Sequence, residues 1–560
     1  MKPFFPFLFF VVVLGVSGCS SQNSSSPPVV GPHAVVQAEN NDFLSQKSFD
    51  PWVLSTTDPT QPLPAYLPSG AIGSICGAVG APETVYEGGH YDKNGVIIST
   101  QSGLVPLAPA AADYKQTLNL QTGVLSTVSE TSSTVAKSSL DWPDFWKHSD
   151  IVIGGDPEAQ QVTHAELFDL CGSLAPGSSN SIPPMGLSSD VYLGHIFWDA
   201  EIWMLPAILP QHPELARSII DYRFERLPAA KSLAKSHGFK GAEFPWESAA
   251  TGFEQAPQEF SQERHITADI AYAAWQYYLW TGDKAYLDRE GWPLLSSTAD
   301  YWVSRVSKSA DGRYHIENVI GPDENAGVVS DDAWTNAVVR YNLLAATEAA
   351  ELTGHAVNPA WTIIAKNIVQ PFDQKSEIYL EYPAMNVDRS QAKQADTQML
   401  IYPLNLPMSK VAAANTLNYY LKHTITVGPA MTSSINAVVA ARLGNQQLSL
   451  NLYRDSYRPF MRGPWDAFSE KRTKSDVYFT TGMGGNLQVV LYGFAGINVA
   501  PKGKVGEGHL IAASSDASLY ADPHLPPGWS GLTLDGIKFC GATYNLQISS
   551  DSTIKAVKVV

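Results

Sequence analysis

From residue 213 to residue 494 the chain reads as a succession of helical patterns, four of them closed by a glycine stop signal. Pro213 to His237 opens on a proline suited to a first helical turn, and Gly238 follows at the C′ position. Ile270 to Trp280 runs into Thr281-Gly282-Asp283. Leu294 to Val306, Asn336 to Thr353 before Gly354, Lys410 to Lys422, Ser434 to Leu443 before Gly444, and Gly485 to Phe494 continue the series. An amphipathic helix buries one face and needs a neighbour to cover it. Many of them in sequence predict helical hairpins around a common core.

The flanks have another texture. Residues 45 to 180 are rich in Ser, Thr, Gly, Pro and Val, with short alternating pieces such as Gly95 to Thr100. Thr117 to Leu120 followed by Gly123 to Leu125 reads as strand, turn and strand. After residue 505 short strands return, at Leu532 to Leu534, Lys538 to Cys540, Tyr544 to Ile548 and Ile554 to Val560. The predicted order is β, then a large α region, then β.

Composition narrows the function. The 560 residues are 44% apolar and 16% charged, too apolar for a disordered chain. Lys plus Arg is 37 against 54 for Asp plus Glu, a net charge of −17, which lacks the basic footprint of a nucleic-acid binder. The 14 Trp, 24 Tyr and 21 Phe furnish a large core, or platforms for a flat ligand such as a sugar.

The first 19 residues, MKPFFPFLFFVVVLGVSGC, place Lys2 before an apolar run from Phe4 to Val16. That run has signal-peptide length and is too short to favour a membrane span. Val16-Ser17-Gly18-Cys19 resembles a bacterial lipobox, with Cys19 as the lipidated residue and the membrane as a partner through that anchor. Ser20, rather than Asp, follows it, which resembles routing to the outer membrane of a Gram-negative cell. The expected location is exported and lipid-anchored, at the outer membrane facing the periplasm. Residues 20–44 begin with a Ser/Pro-rich tether. Cys76, Cys171 and Cys540 lack metal-site spacing; one pair can bridge in an oxidising compartment, and three buried thiols fit equally well.

Several loops carry chemistry. Gly194-His195-Ile196-Phe197-Trp198-Asp199-Ala200-Glu201 pairs a Trp with an Asp, a combination that stacks on a sugar ring and accepts from its hydroxyls. Phe244-Pro245-Trp246-Glu247-Ser248 repeats the pairing. Val319-Ile320-Gly321-Pro322-Asp323-Glu324-Asn325 sets two carboxyls after a forced turn, where a neighbouring charge or an apolar pocket can make one a general acid. Lys393-Gln394-Ala395-Asp396 supplies donors for hydroxyl groups. Singly, each has a plainer reading: a core Trp with a capping Asp, a proline turn, a solvated acidic turn, an exposed helix start.

The order GHIFWDAEIWMLP, GAEFPWES, IGPDEN, KQAD, GPAMTSS and TGMGG closely resembles glycoside hydrolase family 65 over residues 185 to 500. That family includes disaccharide phosphorylases, acid trehalases, kojibiose hydrolases and glucosidases of glucosyl-galactosyl-hydroxylysine. The resemblance implies a mainly α fold. An (α/α)6 barrel catalytic domain at 181–504 would stand between a shortened N-terminal β-sandwich-like domain at 45–180 and a small C-terminal β domain at 505–560. It implies an inverting α-glucosidase acting on an α-linked glucosyl disaccharide or glycoconjugate, with no metal and no cofactor.

Glu324 would then be the general acid. Glu470 fits the general base of the family's hydrolases, with Asp466 as fallback. Trp198, Asp199, Trp246, Glu247, Lys393 and Gln394 would hold the glucosyl unit. Two other readings stand beside this one. A phosphorylase would use phosphate where the hydrolase uses a base, and a surface glycan-binding lipoprotein would use the pocket without turnover.

Overall fold

The computed structural model describes residues 49–559 apart from 62, 102–112, 131, 389, 474–476, 505 and 507. The leader at 1–19, with its lipidation candidate Cys19, and the tether at 20–44 lie outside the described residues.

The helices form two concentric rings, the (α/α)6 barrel. The inner ring runs through 199–208, Ile266–Thr281, Ala333–Thr353, the short turn Thr397–Leu400, Thr432–Arg442 and 480–494. Each packs on the next, and 480–494 closes the ring against 199–208. The outer ring is Pro157–Gly172, Pro213–Glu225, Trp292–Arg305, Pro359–Asn367, Lys410–His423 and Gln446–Tyr457. The first outer helix therefore precedes residue 181, where the resemblance puts the start of the barrel domain.

That helix escapes a periodicity reading because it has no solvent face. Residues 159–172 are all buried, including Gln161, His164, Glu166 and Asp169. One of its polar groups is matched across the rings: Asn486 Nδ2 donates to both oxygens of Glu166, at 2.9 and 2.8 Å. The single helix expected over 213–237 is two, Pro213–Glu225 and Leu227–Ser236. Pro228 has no N–H to offer the carbonyl four residues back, so the chain turns at Arg226 and restarts.

The N-terminal β part is two antiparallel four-stranded sheets. They are joined where Gln116, Tyr114 and Thr134 side chains donate to the carbonyls of Gly77, Ala78 and Val79. The C-terminal strands Gly531–Phe539, Ala542–Ser549 and Ile554–Val559 form an antiparallel sheet completed by Ile151–Gly154 from before the barrel. Leu532 to Leu534 and Lys538 to Phe539, read from sequence as separate pieces, belong to one strand with an irregularity between Leu534 and Ile537. Cys76, Cys171 and Cys540 are free thiols. Among the described residues no helix is long and apolar enough to cross a membrane.

Candidate active site

The Trp198-Asp199 segment enters the inner ring through a π-helical turn, Asp199–Met204. Pro206 follows and cannot bond the carbonyl of Ile202. Gln488 Nε2 from the facing inner helix takes the carbonyls of Ile202 and Trp203 instead, at 3.1 and 2.6 Å. That close approach explains the TGMGG motif. A Cβ on Gly484 would stand 2.5 Å from the Trp203 carbonyl oxygen, so these glycines let two inner helices touch.

The N-terminal β part helps hold this segment. Tyr91 Oη donates to the carbonyl of Gly194 at 2.7 Å. His195 lies between Glu247 Oε2 at 2.9 Å and the Gly95 carbonyl at 3.0 Å. Reciprocal backbone bonds between Ile196 and Ser248 tie the Trp198 and Trp246 segments together. Arg223, fully buried, grips Glu201 through Nε at 2.7 Å and a terminal nitrogen at 2.9 Å, and donates to the Phe197 carbonyl at 3.0 Å. Removing Arg223 strands a buried carboxylate. Arg223→Met is expected to lose about 3–5 kcal/mol of stability, measured by denaturant unfolding.

Asp199 is buried and accepts from Thr481 Oγ1 at 2.6 Å. Burial pushes its carboxyl up to about 7. The Thr481 hydroxyl opposes that rise, and the nearby charges of Glu470 and Glu201 add to it. Trp198 is 2% exposed. Its ring meets Trp203, Trp246, His265 and Trp334, so it belongs to the packed wall as much as to the pocket. His265 is held by Asp269 Oδ2 at 2.7 Å.

Trp246 and Glu247 are presented by a residue the sequence did not flag. The Glu254 carboxylate accepts from the backbone N–H groups of Trp246, Glu247 and Ala256, at 3.0, 3.1 and 3.2 Å. Arg264 reaches the same carboxylate at 3.5 Å.

Glu324 and Lys393 meet directly, Nζ to Oε2 at 2.6 Å, both about a quarter exposed. Asp323 Oδ1 accepts from the backbone of Lys393 at 2.6 Å and of Asn325 at 3.1 Å, clamping the two loops. Gln394 beside Lys393 is buried. The next loop, Gly428-Pro429-Ala430, spans from Lys393 to Glu470. A Cβ on Gly428 would stand 2.3 Å from the Lys393 carbonyl oxygen, and Ala430 N donates to the Glu470 carbonyl at 2.9 Å. Glu470 is 5% exposed, with Lys471 Nζ 3.4 Å from its Oε1. Its charge bears on Asp199, whereas that of the fallback Asp466 bears on Glu166 and Asp169 towards the outer ring.

Glu263 joins these pieces. It is buried, and Glu324, Lys393, Glu247 and Asp199 all act on it electrostatically. Burial first, and these carboxylates second, hold its carboxyl well above the usual range. Glu324, Glu247, Lys393 and Asp199 thus all lie within electrostatic reach of Glu263, and Glu470 lies within that of Asp199. The sequence carried no signal for Glu263, which lies in none of the motifs, or for Thr481, one polar residue of a motif read for its glycines.

Such a site, with several carboxylates, a lysine and an aromatic wall, can grip a polyhydroxylated ring and move protons at its edge. A family model for the glycosyl hydrolase family 65 central catalytic domain matches residues 164–370 and 363–462. A kojibiose hydrolase of Mucilaginibacter mallensis is 39% identical over 402 residues, 71% of this chain and 56% of that protein. A protein-glucosylgalactosylhydroxylysine glucosidase of Dictyostelium discoideum is 37% identical over 422 residues, 73% of this chain and 57% of the relative. The chain thus matches little over half the length of these relatives. A solved structure described as a candidate kojibiose phosphorylase from the human microbiome shares the fold. Its TM-score is 0.71 at 15% identity, over 92% of this chain and 96% of that one. With the family model covering residues on both rings of the barrel, the chain belongs to glycosyl hydrolase family 65.

Proposed function

We propose that the protein is an inverting α-glucosidase hydrolysing an α-linked glucosyl disaccharide or glucosyl glycoconjugate, with Glu324 as general acid and Glu470 as general base. Relatives named kojibiose hydrolase and protein-glucosylgalactosylhydroxylysine glucosidase support a glucosyl substrate. In this reading Glu470 removes a proton from water, whose oxygen attacks the anomeric carbon. Glu324 gives its proton to the departing glycosidic oxygen. This division of labour needs carboxyls about 6.5–9.5 Å apart. Trp198, Asp199, Trp246, Glu247, Lys393 and Gln394 bind the glucosyl unit. A sugar that draws Lys393 Nζ onto its hydroxyls frees Glu324 Oε2 to meet the leaving oxygen.

The observation that carries hydrolysis over phosphorolysis is the loop beside Glu470. Pro429 lacks an N–H, Ala430 lacks a hydroxyl, and the Ala430 N–H is spent on the Glu470 carbonyl. Of the three hydroxyls that follow, two spend their protons elsewhere and the third accepts from a backbone N–H. Thr432 Oγ1 accepts from Ala395 N at 3.0 Å, Ser433 donates to Asp455 at 2.6 Å, and Ser434 donates to the Met431 carbonyl at 3.0 Å. Arg472 is also paired with Asp455, at 2.8 and 2.9 Å. A phosphate dianion needs several convergent donors, and Ala430 N, Ser433 and Ser434 give theirs to their own neighbours. The proposal extends to export and lipid anchoring at Cys19.

The test is a panel of α-glucosyl disaccharides followed by NMR with and without phosphate. β-Glucose is expected as the first anomer released, at a rate phosphate does not change. Phosphate-dependent glucose 1-phosphate would overturn the reading.

A further inference from the structure

Behind Glu324 four carboxyl groups from four separate segments converge: Asp323, Asp332, Glu381 and Asp396. None is more than 2% exposed. Ala333 N, next to Asp332, donates to the Glu381 carbonyl at 2.7 Å, and Asp323 N lies 3.5 Å from Asp396 Oδ2, so that the Asp323 carboxyl comes within bonding reach of Glu381 and the Asp332 carboxyl within reach of Asp396. Ionised carboxylates only accept hydrogen bonds, so a carboxyl–carboxyl bond requires a proton between the oxygens. We propose that Glu381 and Asp396 are positioning residues, each carrying a proton into such a bond, and that the two bonds hold the Glu324 loop against the Lys393 loop. The inference rests on Glu324 being the acid of the proposed reaction.

The assignment of donor and acceptor follows from what else each group binds. Asp323 Oδ1 already accepts from Lys393 N and Asn325 N. Asp332 Oδ2 already accepts from Thr335 N at 2.8 Å and Thr335 Oγ1 at 2.6 Å, where it caps the inner helix Ala333–Thr353. Glu381 and Asp396 Oδ1 make no conventional hydrogen bond from a donor group. They are left to be the proton carriers.

Asp323 N also points to Asp396 Oδ2 at 3.5 Å, so the two pairs are neighbours. Among the described residues no Lys or Arg side chain forms an ion pair with any of the four. No group of His, Cys, Asp and Glu is arranged to hold a metal ion there. His265 acts on Asp332, and Tyr382, Tyr419 and Tyr420 face Glu381. Protons are the cations left to relieve the repulsion.

Burial, then the like charges of the cluster, holds Glu381 and Asp396 well above the usual carboxylate range and Asp323 up to about 6. Raised carboxyls contribute stability that is complete below the unfolded value near 4 and is lost as pH rises through the folded values. The cluster's contribution should therefore fall as pH rises above about 4, as the unfolded chain releases protons that the folded cluster keeps.

The experiment compares the full-length parent with Glu381→Gln and Asp396→Asn. An amide keeps the donor and cannot ionise. Thermal midpoints and kcat/KM are read from about pH 5 to about pH 9. The parent is expected to lose midpoint and activity on the alkaline side. Each amide variant is expected to lose less than half as much midpoint, and to move the alkaline limb of kcat/KM up by roughly one pH unit. Asp323→Asn should not do so, since it replaces the acceptor. Amide variants that titrate like the parent would overturn the proposal. So would a loss of about 100-fold or more in kcat at pH 5 by both amide variants in folded form. The midpoint readout does not depend on Glu324, so activity surviving in Glu324→Gln would sink the acid assignment and leave the cluster tested on its own.

Discussion

Glu324→Gln is expected to lower kcat on an α-glucosyl disaccharide by roughly 10²- to 10⁴-fold, the usual contribution of a positioned general acid. The side chain is a quarter exposed and its ion-pair partner is Lys393, so the fold should survive. The same variant should lose less than about tenfold on α-glucosyl fluoride, because fluoride leaves without a proton. That contrast separates a lost acid from a damaged pocket. If the disaccharide and the fluoride fall together, Glu324 is a binding group, and the acid must be sought at Glu263 or Asp199, the other buried carboxyls held high in the pocket.

Glu470→Gln should fall by a similar roughly 10²- to 10⁴-fold, but on both substrates, since water must be activated whatever leaves. Added phosphate should not restore it. The phosphorylase reading predicts the reverse: near-parental activity with phosphate, because phosphate replaces the base. Glu470 is buried and linked to the pocket through Asp199. Gln keeps its volume, which limits packing loss. Asp466→Asn serves as the local control. Its charge faces Glu166 and Asp169, so it should move stability more than turnover.

Much of the helical framework was legible because its signals are local. The glycines after Thr281 and Thr353 adopt positive φ, the C-terminal cap the pattern predicted. Outer helix Pro157–Gly172 was illegible for the opposite reason, being buried all round. The Trp-Asp, Trp-Glu and Lys-Gln pairs were legible because each pairs partners adjacent in sequence. Arg223, Glu254 and Glu263 were not. Arg223 looks like any helix-surface arginine until its partner Glu201, 22 residues earlier, is seen buried with it.

By itself the sequence determined the succession of elements and the residue types at the pocket, since capping, turns and aromatic–carboxylate pairing act within a few positions. Only the tertiary structure decided which carboxyls share a site and which carry protons. Asp199 meets Thr481 across 282 positions, and Asp323 meets Lys393 across 70. Charge state follows from burial and from neighbours the ring closure supplies, and neither exists in an unfolded chain.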